Sequence, residues 1–207
     1  MITLLIDTSS SDVSIAILKS GKVVSEITEN KPNQHSIYTV EYINKTLKEA
    51  KLSPDDIDRI MVVTGPGSFT GLRIGVTIAK TYAYLKEKEI IPVSSLKMRA
   101  LSTEHDNCIS IIDAHHNKYY VGLYDKENKD IIEEQLMTKE DLLKLIEEYS
   151  PKIVSDLPGK INDISYSKQE LNFESIEKYY ESCNPVNPHL VNPNYLKLPQ
   201  VLEVNND

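Results

Sequence analysis

Thr64-Gly65-Pro66-Gly67-Ser68-Phe69-Thr70-Gly71-Leu72-Arg73-Ile74-Gly75 joins an apolar run, Ile60-Met61-Val62-Val63, to a long stretch of helical periodicity. Gly-Pro-Gly is turn chemistry. The pattern therefore predicts a strand ending near Thr64, a tight reversal, and a helix from about Ser68 to Glu87. Gly67, Gly71 and Gly75 fall four apart, and Ala79 and Ala83 continue the row. Residues four apart share one ridge of a helix, so the row is a groove of small side chains that another backbone can approach. Glycine inside a helix costs about 1 kcal/mol relative to alanine, so two of them require a packing reason. Two occupants stay open: the sheet or a neighbouring helix of the same chain, or a helix of another chain. Leu72, Ile74, Val76, Ile78, Tyr82, Tyr84 and Leu85 make the helix apolar around much of its circumference, a sign of burial on all sides that favours a partner. A phosphate cradle at the helix start is a further reading. Against it, Gly71-Leu72-Arg73 stands where a P-loop needs Gly-Lys-Ser/Thr.

Working outward, three strands precede this segment: Ile2 to Ile6, Val13 to Leu18 and Val23 to Thr28, joined by the turn-rich stretches 7–12 and 19–22. The period then changes. Ile37, Val40, Ile43, Leu47 and Ala50 predict an amphipathic helix from about Ser36 to Lys51. Ser53-Pro54-Asp55-Asp56 reads as an N-cap with proline at the first helical position. The order is β-β-β-α-β, followed by the long helix. Laying Ile6-Asp7 on Ile112-Asp113 without gaps repeats it. Val13 to Leu18 then falls over Tyr119 to Tyr124, a third strand covers Ile131 to Leu136, Thr138 opens a helix with Asp141 three residues on, and Lys152 to Ser155 is the closing strand. The expected organisation is an N-terminal lobe over 1–104 and a reduced C-terminal lobe over 105–207. The latter ends in an extended tail, because Pro185, Pro188, Pro193 and Pro199 forbid a helix there; Leu190, Tyr195 and Leu198 are its expected anchors.

A β-β-β-α-β unit used twice, with an aspartate ending the first strand of each copy, resembles the duplicated actin-like (ASKHA, RNase H-like) α/β fold, with a mixed sheet in each lobe. In that superfamily the first hairpins hold nucleotide phosphates. Asp7, Thr8, Ser9 and Asp12 are the nucleotide-binding candidates here, with Asp113 as their counterpart; the competing role for these groups is turn capping. The second turn, Ala114-His115-His116-Asn117-Lys118, has no glycine to let backbone hug a phosphate. The late Gly-Gly turn of the superfamily's ATPases is replaced by Pro158-Gly159. An autonomous small ATP-dependent kinase or ATPase is thus the alternative function, and these departures count against it.

The Gly-Pro-Gly-Ser-Phe-Thr-Gly-Leu-Arg-Ile-Gly run, with Ile6-Asp7-Thr8-Ser9, His35-Ser36, Ile112-Asp113-Ala114 and Pro193-Asn194-Tyr195-Leu196-Lys197, closely resembles the bacterial TsaB (YeaZ) family. It is weakest from about Leu157 to Asn187. The resemblance implies a non-catalytic paralogue that pairs with the catalytic subunit TsaD and is joined by the ATPase TsaE. Together they transfer a threonylcarbamoyl group to N6 of adenosine 37 in tRNAs reading ANN codons. It implies no intrinsic cofactor, with ATP and a metal on the partner subunits, and a cytoplasmic location. It also implies a dimer surface formed by the helix after Gly-Pro-Gly with the helix after His35. The interface candidates are Phe69, Gly71, Leu72, Gly75, Ile78, Ala79, Tyr82, Ala83 and Tyr38; self-association through the same helix is a further possibility. For this family the chain is short, and the loss falls in the second lobe.

Composition agrees with a scaffold. The chain has 207 residues, 40% hydrophobic and 26% charged, with a formal charge of −8 and a pI near 5.2. Only three of the 23 basic residues are arginine, so phosphate recognition by this chain alone is disfavoured, and tRNA is expected only through a complex. Cys108 and Cys183 are too few for a disulfide framework or a zinc ribbon. The catalytic paralogues' His-x-x-x-His metal pair has no match among His35, His105, His115, His116 and His189, so no catalytic or metal-ligating residue is assigned. Neither an 18-residue apolar stretch nor a Gly-x-Ser-x-Gly elbow is present, and Met1 to Asp7, an apolar run with no basic region ahead of it, is expected to be a strand and not a signal peptide.

Overall fold

The computed structural model describes residues 1–196. These form two compact units, Met1–Ser95 with Asn172–Pro193, and Leu96–Leu171 with the described residues after Pro193. The division falls at Ser95/Leu96 and not at the expected 104/105, since Leu96 and Ala100 pack with Cys108, Ile112 and Val154, and a C-terminal segment, 172–193, returns to the first unit.

In the first unit, β1 (Ile2–Asp7), β2 (Asp12–Lys19) and β3 (Lys22–Asn30) form an antiparallel meander. Its second turn is the two-residue Ser20-Gly21, both at positive φ, as the strand twist of a tight hairpin requires. Helix α1 (His35–Glu49) follows, then a 3-10 turn over Pro54–Asp56. Ser53 caps that turn, its amide donating to the Asp56 carboxylate at 2.7 Å. β4 (Arg59–Gly65) lies parallel to β1, α2 (Phe69–Leu85) crosses over, and β5 (Glu89–Ser94) pairs parallel with β4, giving the order β3-β2-β1-β4-β5. β1 and β4 are covered on both faces, so they are apolar nearly without interruption.

On one face Leu4, Ile6, Ile15, Ile17, Ile60 and Val62 pack against Tyr42, Ile43, Leu47, Val76, Ala79 and Ala83 of α1 and α2. Thr39 and Thr46 also sit on the buried stripe of α1, tolerated there because their hydroxyls donate to the carbonyls of His35 and Tyr42, at 2.6 and 2.8 Å.

The second unit repeats the plan. After the short α3 (Ser95–Ala100), β6 (Asn107–Asp113), β7 (Lys118–Asp125), β8 (Asp130–Thr138), α4 (Lys139–Tyr149) and β9 (Lys152–Ser155) form a sheet of order β8-β7-β6-β9 with the pairing senses of β3-β2-β1-β4. Thr138 caps α4, accepting from the Asp141 amide at 3.2 Å. The ungapped alignment of Asp7 with Asp113 is thus reproduced: each ends the central strand of its sheet. Where the first unit continues into α2 and β5, the second has a small hairpin, β10 (Gly159–Ile161) with β11 (Ile164–Tyr166).

Helix α5 (Phe173–Tyr180) returns to the first unit and leans on β2 and β3. The tail is not wholly extended: Pro188–Leu190 forms a 3-10 turn opened by Asn187, with Pro188 at its start, where the missing amide is no loss. Leu190 is 73% exposed and does not anchor it; Val191, 3% exposed, does, in the core beneath α2. Leu198 and Pro199 lie outside the described residues, as does Lys197 of the closing motif.

Candidate functional site

The conspicuous construction is the contact between the β1–β2 turn and the start of α2. Thr8 Oγ1 donates to the Gly71 carbonyl at 2.8 Å, and the Ser68 amide donates to the Ser9 carbonyl at 2.7 Å. Ser68 caps α2, its hydroxyl accepting from the Gly71 amide. A Cβ on Gly71 would overlap the Thr8 carbonyl, and one on Gly67 the Ser9 carbonyl; on Gly75 it would meet Thr8 Oγ1. Gly67 also has φ of +155°, which disfavours a side chain. The glycine row therefore seats the chain's own hairpin turn.

This corrects the reading of the row as a groove for another chain. Gly71, Leu72, Gly75, Ala79 and Ala83 are all buried within the first unit. Of the other interface candidates, Phe69, Ile78, Tyr82 and Tyr38 are half-buried. Arg73 stacks on the Phe69 ring at 3.9 Å, Tyr82 donates to the Pro54 carbonyl at 2.7 Å, and Lys31 lies over the Tyr38 ring. Burial of α2 on all sides is corrected too: Thr70, Arg73, Thr77, Thr81, Tyr84 and Leu85 are exposed.

The nucleotide candidates are turned inward. Asp7, Thr8, Ser9 and Asp12 are between 1% and 7% exposed. Asp7 Oδ1 accepts from the Ser9 amide at 2.8 Å, and Asp12 Oδ1 accepts from Asn30 at 2.9 Å. His35, buried at the start of α1, holds the turn from beneath, its Nε2 lying 2.8 Å from the Ser10 carbonyl. A carbonyl only accepts, so Nε2 carries the proton. Thr8 and Ser9 are thus seated on α2, and the capping role is the one Asp7 performs. Asp113 does the same in the second unit, accepting from the His115 amide at 2.7 Å, in a turn where His115, His116 and Asn117 all have positive φ. Among the described residues no three His, Cys, Asp or Glu side chains converge on a metal-sized site.

The first unit also leaves apolar side chains of α1 and α2 open to solvent in whole or in part. Ile37 and Val40 of α1 are 62% and 48% exposed, and Ile74 and Ile78 of α2 are half-buried. Sequence periodicity had placed Ile37 and Val40 on the inner stripe, but the inner positions are His35, Thr39, Tyr42, Ile43, Thr46 and Leu47. The legible signal was an excess of apolar residues over what one stripe needs.

Comparison with known proteins agrees with this architecture. The family model described as TsaD, tRNA N6-adenosine threonylcarbamoyltransferase, matches residues 22–181. The tRNA threonylcarbamoyladenosine biosynthesis protein TsaB of Bacillus subtilis is 36% identical over 153 residues, covering 72% of this chain and 67% of the relative. The tRNA N6-adenosine threonylcarbamoyltransferase of Fusobacterium nucleatum is 35% identical over 144 residues, 58% of this chain and 42% of the relative. The solved structure of YeaZ from Pseudomonas aeruginosa superposes with a TM-score of 0.79 at 20% identity, covering 94% of this chain and 99% of that one. With its duplicated actin-like fold, the chain belongs to the TsaB (YeaZ) family of tRNA threonylcarbamoyladenosine biosynthesis proteins.

Proposed function

We propose that the protein is a non-catalytic subunit of the machinery that transfers a threonylcarbamoyl group to N6 of adenosine 37 in tRNAs reading ANN codons, acting with a TsaD-type catalytic paralogue and a TsaE-type ATPase in the cytoplasm. The observation that carries this reading is the filled hairpin turn: where the actin-like superfamily holds phosphates, this chain seats Thr8 and Ser9 against α2. A role through contact follows, and the exposed apolar face of α1 and α2 is the surface offered to the paralogue. Its likeness to TsaD, in the family model and in the Fusobacterium relative, makes pairing of two similar folds through similar helices reasonable. Contact there would favour the active arrangement of the partner's site. ATP and metal would belong to the partners, and tRNA would be met only in the complex. Among the described residues no helix is long and apolar enough to cross a membrane.

Light scattering after size-exclusion chromatography tests this, on the protein alone and mixed with a TsaD-type paralogue, alongside threonylcarbamoyl transfer to tRNA with and without this chain. A heterodimer, with transfer that requires the mixture, supports the proposal. ATP turnover by the isolated protein, with no complex formed, would favour the autonomous ATPase instead, and a homodimer that persists in the mixture would favour self-association.

A further inference from the structure

The face of the first sheet opposite α1 and α2 buries a carboxyl group that has no hydrogen-bond partner among the described residues. Leu4 and Ile6 face the two large helices, so Thr3 and Leu5 point the other way, as does Arg59, the register partner of Thr3. Arg59 reaches the Glu181 carbonyl at the end of α5, which places α5 on this side. Glu177 lies in that helix at 3% exposure, and neither of its carboxylate oxygens has a hydrogen-bond partner among the described residues. Thr3 Oγ1, buried in the same layer, has none either.

No hydrogen bond or ion pair reaches Glu177 among the described residues, although Lys178 and the amino-terminal Met1 line the same cleft. Lys22 is paired with Glu174 at 2.8 Å, and Arg59 with Glu89 at 2.8 Å. A buried carboxylate left without a counter-charge is strongly unfavourable, so the position calls for a partner that the fold does not supply. Glu177 lines a cleft of about 660 Å³, together with Glu174, Glu181, Lys22, Lys178, Ser175, Ser20 and the amino-terminal Met1. That volume lies in the range of small-molecule sites. Glu174 and Glu177 of α5 and Glu181 just after it follow one another at i, i+3 and i+7; Glu174 is paired with Lys22, and of the three Glu177 alone is buried. A bare divalent ion would want several converging carboxylates, and no such group of three is present among the described residues.

We propose that this cleft binds a small molecule carrying an ammonium or guanidinium group, with Glu177 as its counter-ion and the hydroxyls of Ser20 and Ser175 available to the polar remainder. The site lies on the opposite face of the sheet from the α1–α2 surface and does not depend on the partner reading.

Isothermal titration of the full chain with spermidine, L-arginine and magnesium chloride, each alone, tests it, with Glu177→Gln as the variant. Saturable uptake of one of the organic cations, weakened about tenfold or more by Glu177→Gln, is expected, since a charge-assisted hydrogen bond is lost. The thermal midpoint of ligand-free Glu177→Gln should equal or exceed that of the parent, because no hydrogen bond or ion pair of the ligand-free protein is lost. Uptake of neither organic cation, uptake of magnesium alone, binding equal in the variant, or a lowered midpoint in ligand-free Glu177→Gln would overturn the proposal.

Discussion

Thr8 and Gly71 hold each other in two directions: the Thr8 hydroxyl donates to the Gly71 carbonyl at 2.8 Å, and the Thr8 carbonyl occupies the space a Gly71 side chain would need. The first relation fixes the turn on the helix, and the second makes glycine obligatory at that position.

Gly71→Ala should therefore destabilise the protein by about 1–3 kcal/mol, the usual penalty for overpacking a rigid site. Backbone, unlike a flexible side chain, has nowhere to retreat. Denaturant midpoints of the parent and the variant measure this directly. An unchanged midpoint would show that the turn and helix separate easily. Gly75→Leu would likewise strike Thr8 and damage the fold, so it makes a poor probe of association.

Association is better probed where side chains face solvent. Ile37→Asp and Val40→Asp change exposed positions on α1, where substitutions usually shift stability by no more than about 0.5 kcal/mol. If this face meets the paralogue, each variant should bind it at least about tenfold more weakly at an unchanged melting midpoint, since a carboxylate would be desolvated against an apolar surface. Titration calorimetry with the parent and the two variants decides it, and undiminished affinity in both would move the interface elsewhere.

The strand and helix order was legible because it rests on local periodicity and turn chemistry: Ser20-Gly21, Pro54 and Thr138 act within a few residues of themselves. The duplication was legible because Asp7 and Asp113 end equivalent strands. The occupant of the glycine row was not, since a row of small residues records that a backbone comes close but not whose. The face of Ile37 was misjudged for a related reason. Thr39 and Thr46 replace apolar residues on the inner stripe by returning their hydroxyls to the helix backbone, and hydrophobicity alone cannot register that. Glu177 carried no sequence signal at all, because its burial depends on α5 folding back onto β2 and β3.

The two cysteines should separate cleanly by reactivity. Cys108 is fully buried in β6, and burial pushes its thiol up to about 12, so neither thiolate nor access is available in the folded protein. Cys183 is half-exposed. A chromogenic disulfide reagent at pH 8 should label one thiol per chain promptly and the second only in denaturant. Rapid labelling of both in native buffer would mean that the second unit opens readily.

Tyr42 offers a test of the packing between α1 and β3 through pH. Its hydroxyl donates to Glu29 Oε2 at 2.8 Å, and burial first, then this bond, pushes the phenol up to about 12. An unfolded tyrosine titrates near 10. Between about pH 10 and 12 the folded state binds more protons than the unfolded state, so stability falls as pH rises. The contribution is intact below pH 10 and lost above about 12. Tyr42→Phe removes both the bond and the titration. Urea midpoints of the parent and the variant should thus lie furthest apart near pH 9 and converge towards pH 12, with the parent the steeper. Tyr82 is likewise raised to about 12 by burial, but it is present in both proteins and cancels from the difference. A gap independent of pH would mean that Tyr42 releases its proton as readily in the folded protein as in the unfolded chain, and that α1 packs less tightly on β3 than the 2.8 Å bond implies.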